Sequence, residues 1–163
     1  MPEPLTTSEH LAFSQRLRQV ALDTKREFAG LSDARLRRRP GPGEWSAIEV
    51  AGHLVDKLEN WAERVERISR EDRPFLPGYD QDAVVRERGY AKAAVVTVLE
   101  RLHLTAERFA VLAESLSDVA LDRVGIHGEN GPMTARQCIE TPLASIPGHL
   151  DQLRAASSLP IEP

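Results

Sequence analysis

The sequence predicts an all-α protein, a four-helix bundle with a long crossover between the second and third helices that permits an up-down-down-up topology. Apolar residues recur three and four apart through four long segments. No run of strict alternation bounded by turn signals points to a sheet. The segments are separated by the proline- and glycine-rich connections LRRRPGPGE, EDRPFLPGYDQD and GIHGENGPM.

The first segment, about 7–31, carries Phe13, Leu17, Val20, Thr24, Phe28 and Leu31 as one stripe. The second, about 46–69, carries Ile48, Ala51, Val55, Leu58, Ala62 and Val65, widened by Leu54, Trp61 and Ile68. Its start WSAIEV has the form of a capping box, with Ser46 as cap and Glu49 reaching back. The connection that follows, about 70–90, is long for a helical hairpin and contains a short helical piece around 82–88. The third segment, about 91–116, uses Val95, Leu99, Leu102, Ala106, Phe109 and Ala113. The fourth, about 134–157, uses Ile139, Leu143, Ile146, Leu150 and Leu153, and MTARQC at its start repeats the capping box with Thr134 and Gln137.

With 163 residues, the chain has the length of one domain, 1–163, built on one core. Its 21 Lys plus Arg against 25 Asp plus Glu, a formal charge of -4, argue against a surface built to hold nucleic acid or an anionic membrane. The apolar runs fall far short of the roughly 20 residues of a membrane helix. The lone Cys138 forms no internal disulfide, and MPEPLTTSEH lacks the pattern of a secretory leader, so a cytoplasmic location is expected.

Two histidines follow the same tripeptide, GHL, at His53 and His149. His53 lies seven residues from the start of its helix and His149 about eight from the end of its own. Antiparallel helices therefore bring both to one level, roughly 10 to 12 Å in at about 1.5 Å per residue. That requires the second and fourth helices to run oppositely, as an up-down-down-up bundle with a long middle connection allows. On a helical wheel both imidazoles sit at the edge of their apolar stripes, His53 further out.

The strings RRRPGPGEWSAIEVAGHLVD, FLPGYDQDAVVRERGY and GPMTARQC leading to GHLDQL resemble the DinB-like superfamily, four-helix proteins grouped with the bacillithiol and mycothiol transferases. The resemblance covers nearly the whole chain. It implies an up-down-down-up bundle, a homodimer, and a divalent metal such as Zn, Ni or Mn held by three histidines, one from an HL motif and two from an HxxxH pair. Carried over by position, the first falls on His53, the last on His149, and the middle one on Ser145. A serine hydroxyl, protonated near neutral pH, is a poor metal ligand, and catalytic zinc sites hold three protein ligands. The resemblance thus implies a DinB-like protein of unassigned specific role with a degenerate site, in which metal is weakly held or absent. The alternative is an active divalent-metal-dependent thiol transferase or hydrolase, with Asp56, His103 or water completing the shell.

The remaining candidates have ordinary readings. His103 lines the inner face of the third helix, while His10 and His127 are exposed in a first turn and a loop. Pro142 and Pro147 bend or break the fourth helix. Arg35, Arg37, Arg38 and Arg39 form a solvated basic face or, alternatively, receive an anionic small molecule such as a thiol carrying carboxylates. Trp45 and Trp61 anchor the core, and Cys138 is a small buried hydrophobe.

Overall fold

The computed structural model describes residues 8–158, so Thr7, placed in the first segment, and most of the stretch MPEPLTTSEH lie outside the described residues. Seven helices and three short strands follow in the order α1 (Glu9–Phe28), α2 (Asp33–Arg37), α3 (Ala47–Arg70), β1 (Phe75–Leu76), α4 (Gln81–Arg88), α5 (Val95–Ser115), α6 (Asp118–Leu121), β2 (Val124–His127), β3 (Gly131–Thr134) and α7 (Ala135–Ser158). A 3-10 turn, Tyr90–Lys92, precedes α5. The four long helices, α1, α3, α5 and α7, are the bundle.

Each helix starts where the chemistry allows. At α3 the Ser46 side chain accepts from Glu49 N while the Glu49 carboxylate accepts from Ser46 N, closing the capping box. The same reciprocal pair forms between Thr134 and Gln137 at α7. Ser8, Ser32, Asp80 and Ser117 cap α1, α2, α4 and α6, each from a side-chain oxygen.

Cross-helix pairs give the directions. Arg18 of α1 pairs with Glu107 and Glu114 of α5, and His10 reaches Ala113 and Asp118, so α1 and α5 are antiparallel. Arg136 meets Glu9 and Arg154 meets Glu27, so α1 and α7 run together. His149 meets His53, and Cys138 lies near Arg64, so α3 and α7 are antiparallel. These relations make up-down-down-up the topology, with β1, α4 and the 3-10 turn forming the crossover.

Leu17, Leu54, Leu102, Phe109 and Ile139 anchor the main core, each fully buried. A second cluster around Phe28, Ile48, Val98, Tyr90 and Leu153 seals one end. The crossover is pinned there. Tyr90 lies so close over Gly52 that a Cβ on residue 52 would stand 2.2 Å from its ring, and its hydroxyl donates to Asp56 Oδ1 at 2.7 Å.

The expectation of no sheet is corrected. Strands β2 and β3 form an antiparallel hairpin from Val124 opposite Thr134 to His127 opposite Gly131, and β1 adds in parallel beside β2. Strands of two and four residues carry too little alternation to be read from sequence. The hairpin turn is set by Gly131 at φ 70° and by His127 Nδ1, which accepts from the amides of Glu129 and Asn130 at 3.1 Å. The basic stretch after the first helix, expected as loop, contains α2. Both prolines of the fourth segment lie inside one continuous helix, so they do not break α7.

Candidate functional site

Helix α3 is buried all round from Ala47 to Leu58, because α2 and the crossover cover the side that its apolar stripe leaves polar. That side carries Glu49, His53, Asp56, Lys57 and Arg64, each under a tenth exposed. Buried ionisable groups require partners, and two of these have strong ones. Glu49 accepts two bonds from Arg39 at 2.8 and 2.7 Å. Burial alone would raise its pKa, but Arg39 and Ser46 bring it below the ordinary value. Asp56 accepts from Tyr90, with Arg88 3.7 Å away, yet burial leaves its pKa raised.

His53 is different. It is fully buried, and neither ring nitrogen finds a hydrogen-bond partner among the described residues. Its ring lies 4.7 Å, centroid to centroid, from the ring of Trp45 and 4.7 Å from that of His149, meeting the latter edge-on at 66°. Burial, then the neighbouring His149 and Lys57, pushes its pKa down to about 3, so the ring is neutral. The expected edge position is thus corrected for His53, which the covering segments enclose. His149 keeps the edge position, half-buried on α7 beside a cleft of about 530 Å³ lined also by Trp45, Glu44, Asp82 and Gln152.

Lys57, one turn beyond His53, was not singled out by the sequence. Its ammonium nitrogen lies 3.5 Å from His149 Nε2, while His149 Nδ1 faces Gln152 Oε1 at 3.4 Å. An Nδ1–H tautomer satisfies both contacts, donating to Gln152 and accepting from Lys57. No carboxylate among the described residues forms an ion pair with Lys57, and burial lowers its pKa. The sequence signal was its i,i+4 spacing from His53, which places both on one face.

A metal fits this corner poorly. His53 offers two unoccupied nitrogens, but among the described residues no group of three His, Cys, Asp or Glu is arranged to hold a metal ion. The Ser145 hydroxyl donates to the Pro142 carbonyl at 2.7 Å. Asp56 is committed to Tyr90, and the Lys57 ammonium lies against one of the two imidazoles a metal would need.

The other candidates lie elsewhere. His103 is exposed on α5 rather than on its inner face. His10 is largely enclosed and donates to the Ala113 carbonyl at 3.1 Å and to Asp118 at 2.9 Å, contacts that only the tertiary fold supplies. His127 is buried, stacked at 5.8 Å and 6° on Trp61. Arg64 also lies over that indole, 4.2 Å from its centroid. Three of the four clustered arginines are tied into the fold, Arg35 donating to Ser157 O, Arg37 to Ala91 O and Asp33, and half-exposed Arg39 to Glu49, while one guanidinium nitrogen of Arg38 is buried without a hydrogen-bond partner among the described residues. Cys138 is fully buried, its thiol pushed up to about 11 by burial.

The model of the DinB superfamily matches residues 16–144, most of the bundle and the whole of α3. The chain belongs to that superfamily. Among curated relatives, the uncharacterized protein YuaE of Bacillus subtilis is 26% identical over 149 residues, 83% of this chain and 91% of its own. Among solved structures, YfiT from Bacillus subtilis, described as a probable metal-dependent hydrolase with an unusual four-helix bundle topology, superposes with a TM-score of 0.83 at 20% identity, over 96% of this chain and 90% of that one. A DinB-like protein from the same organism, YjoA, gives 0.61 at 14% identity, over 94% and 96%. These likenesses bear on the fold. Among the described residues, no helix of this DinB-superfamily chain is long and apolar enough to cross a membrane.

Proposed function

We propose that this DinB-superfamily protein uses the cleft beside His149 to bind a small molecule, and that its family metal centre is degenerate, with His53 and His149 retained and Ser145 in place of a third imidazole. The observation that carries this reading is the Lys57 ammonium 3.5 Å from His149 Nε2. The protonated lysine in low dielectric repels a second cation and competes for the nitrogen lone pair. The specific role within the family is unassigned. The reading places the chain as a single cytoplasmic domain, and as a homodimer supported by Leu104 and Val111, seven residues apart on α5 and 55% and 51% exposed.

Elemental analysis of untagged protein, before and after incubation with zinc, nickel or manganese and desalting, is the test. Metal well below one equivalent under all conditions is the expected result; one equivalent retained would overturn it. The second reading, an active divalent-metal-dependent thiol transferase or hydrolase, is favoured by the two unpartnered nitrogens of buried His53 and by the description of YfiT. One equivalent of metal that disappears in His53→Gln would establish its first requirement.

A further inference from the structure

The buried face of α3 carries two carboxylates and two cations, but the carboxylates pair with arginines of other segments rather than with the cations beside them. Lys57 and Arg64, 8% and 5% exposed, carry two cations, and among the described residues neither forms an ion pair with a carboxylate. Arg64 finds the Pro77 carbonyl at 2.8 Å and the face of Trp61. Lys57 has only the 3.5 Å contact with His149. An ammonium has three N–H donors, and a buried one with a single long contact to a neutral acceptor leaves most of that capacity unmet. Beside it stands His53, fully buried, whose neutral ring has one N–H and finds no acceptor. Among the described residues, a buried lysine nitrogen and a buried imidazole thus stand near each other without an ion-paired carboxylate.

Resting on the reading above, we infer that the corner formed by Lys57, His149 and His53 binds a small oxyanion, the carboxylate or phosphate group of the molecule that enters the cleft, in place of a metal cation. An oxyanion supplies what the corner lacks. One oxygen accepts a charge-assisted bond from Lys57 and another an N–H from an imidazole, and in a desolvated site such bonds are about twice as strong as neutral ones. Trp45, tilted against His53 at 40° and lining the cleft, provides an apolar wall for the rest of the ligand. Glu44 and Asp82 at the rim are exposed, so their charges are screened within about 8 Å at physiological ionic strength. The serine at position 145, whose hydroxyl is committed to the Pro142 carbonyl, supplies no imidazole to a metal, and the lysine adds a cation, so both disfavour a metal.

The test uses full-length protein stripped of metal with a chelator and titrated separately with inorganic phosphate and with acetate, against chloride at matched ionic strength. Imidazole nitrogen NMR shifts of His53 and His149 report binding. A saturable shift with at least one oxyanion, absent with chloride, is expected; phosphate alone identifies a phosphoryl ligand and acetate alone a carboxylate. In Lys57→Met, which keeps the apolar stem, affinity should fall about tenfold or more, the worth of one charge-assisted bond. A saturable rise in Tm with the oxyanion that binds, in wild type and not in the variant, is the second measurement. No saturable response to either oxyanion, or equal responses in both proteins, would overturn the inference. A metal-free chain that ignores both oxyanions overturns only this inference, whereas a full equivalent of bound metal overturns the preceding reading.

Discussion

The imidazole of His53 meets that of His149 edge-on, with 4.7 Å between centroids, and this contact joins α3 to α7 across the antiparallel pair. One ring is fully enclosed and the other borders solvent, so the pair links the core to the cleft.

The enclosure of His53 makes the protein acid-sensitive. Its folded pKa of about 3 lies below the ordinary 6.5, so between those values the unfolded chain binds a proton that the folded chain refuses. Stability is therefore retained above about pH 6.5 and falls as pH drops, by up to ~1.4 kcal/mol per pH unit from this group. His149, also lowered by burial, adds the same sign. His10, raised by its bond to Asp118, has the opposite sign, its contribution present below pH 6.5 and lost as pH rises through its folded value. Urea unfolding at pH 7.5 and pH 5 should show a lower midpoint at pH 5, with a smaller drop in His53→Phe. Equal drops in the two proteins would assign the sensitivity to other groups.

Gly52→Ala should destabilise the protein by about 1 to 3 kcal/mol, because the new methyl meets the Tyr90 ring at 2.2 Å and Tyr90 is held by Asp56. Denaturant unfolding measures it. A companion Tyr90→Ala substitution in the same chain should absorb part of the Gly52→Ala penalty, and strict additivity of the two would show that they do not clash.

Pro147→Ala should raise stability by about 1 to 2 kcal/mol. Pro147 is exposed within α7, so alanine restores an amide donor toward the Leu143 carbonyl without leaving a core cavity, less the entropy returned to the unfolded chain. Pro142 is buried, and its replacement by alanine should gain less. Thermal melts of the two variants compare them directly.

Ser145→His should increase zinc affinity about tenfold over wild type, and the further change Lys57→Met should increase it again by removing the competing ammonium. Calorimetric titration with zinc reads both. Unchanged affinity in folded variants would mean that position 145 does not face the His53–His149 corner.

Periodicity alone was enough to place the four long helices, since each buries a continuous stripe whose three-and-four spacing is a local property of the chain. The capping boxes at Ser46 and Thr134 were legible for the same reason: the residues that satisfy one another are three apart. Equal depth let His53 and His149 meet only if their helices ran oppositely, a direction the long connection permitted and the resemblance implied, and the rings do lie 4.7 Å apart. The short strands were not legible, because β1 and β2 pair across some fifty residues and neither is long enough to show a pattern.

What only the tertiary structure decided is the character of the corner. Burial is a property of what covers a residue, and the segments covering α3 are the connections, whose composition carries no periodic signal. They turn His53 from an edge residue into an enclosed neutral ring, draw Arg35, Arg37 and Arg39 into internal bonds, and leave Lys57 beside His149 with no ion-paired carboxylate among the described residues. A ligand spacing is written along the chain, whereas the field at that site is summed over charges that approach through space.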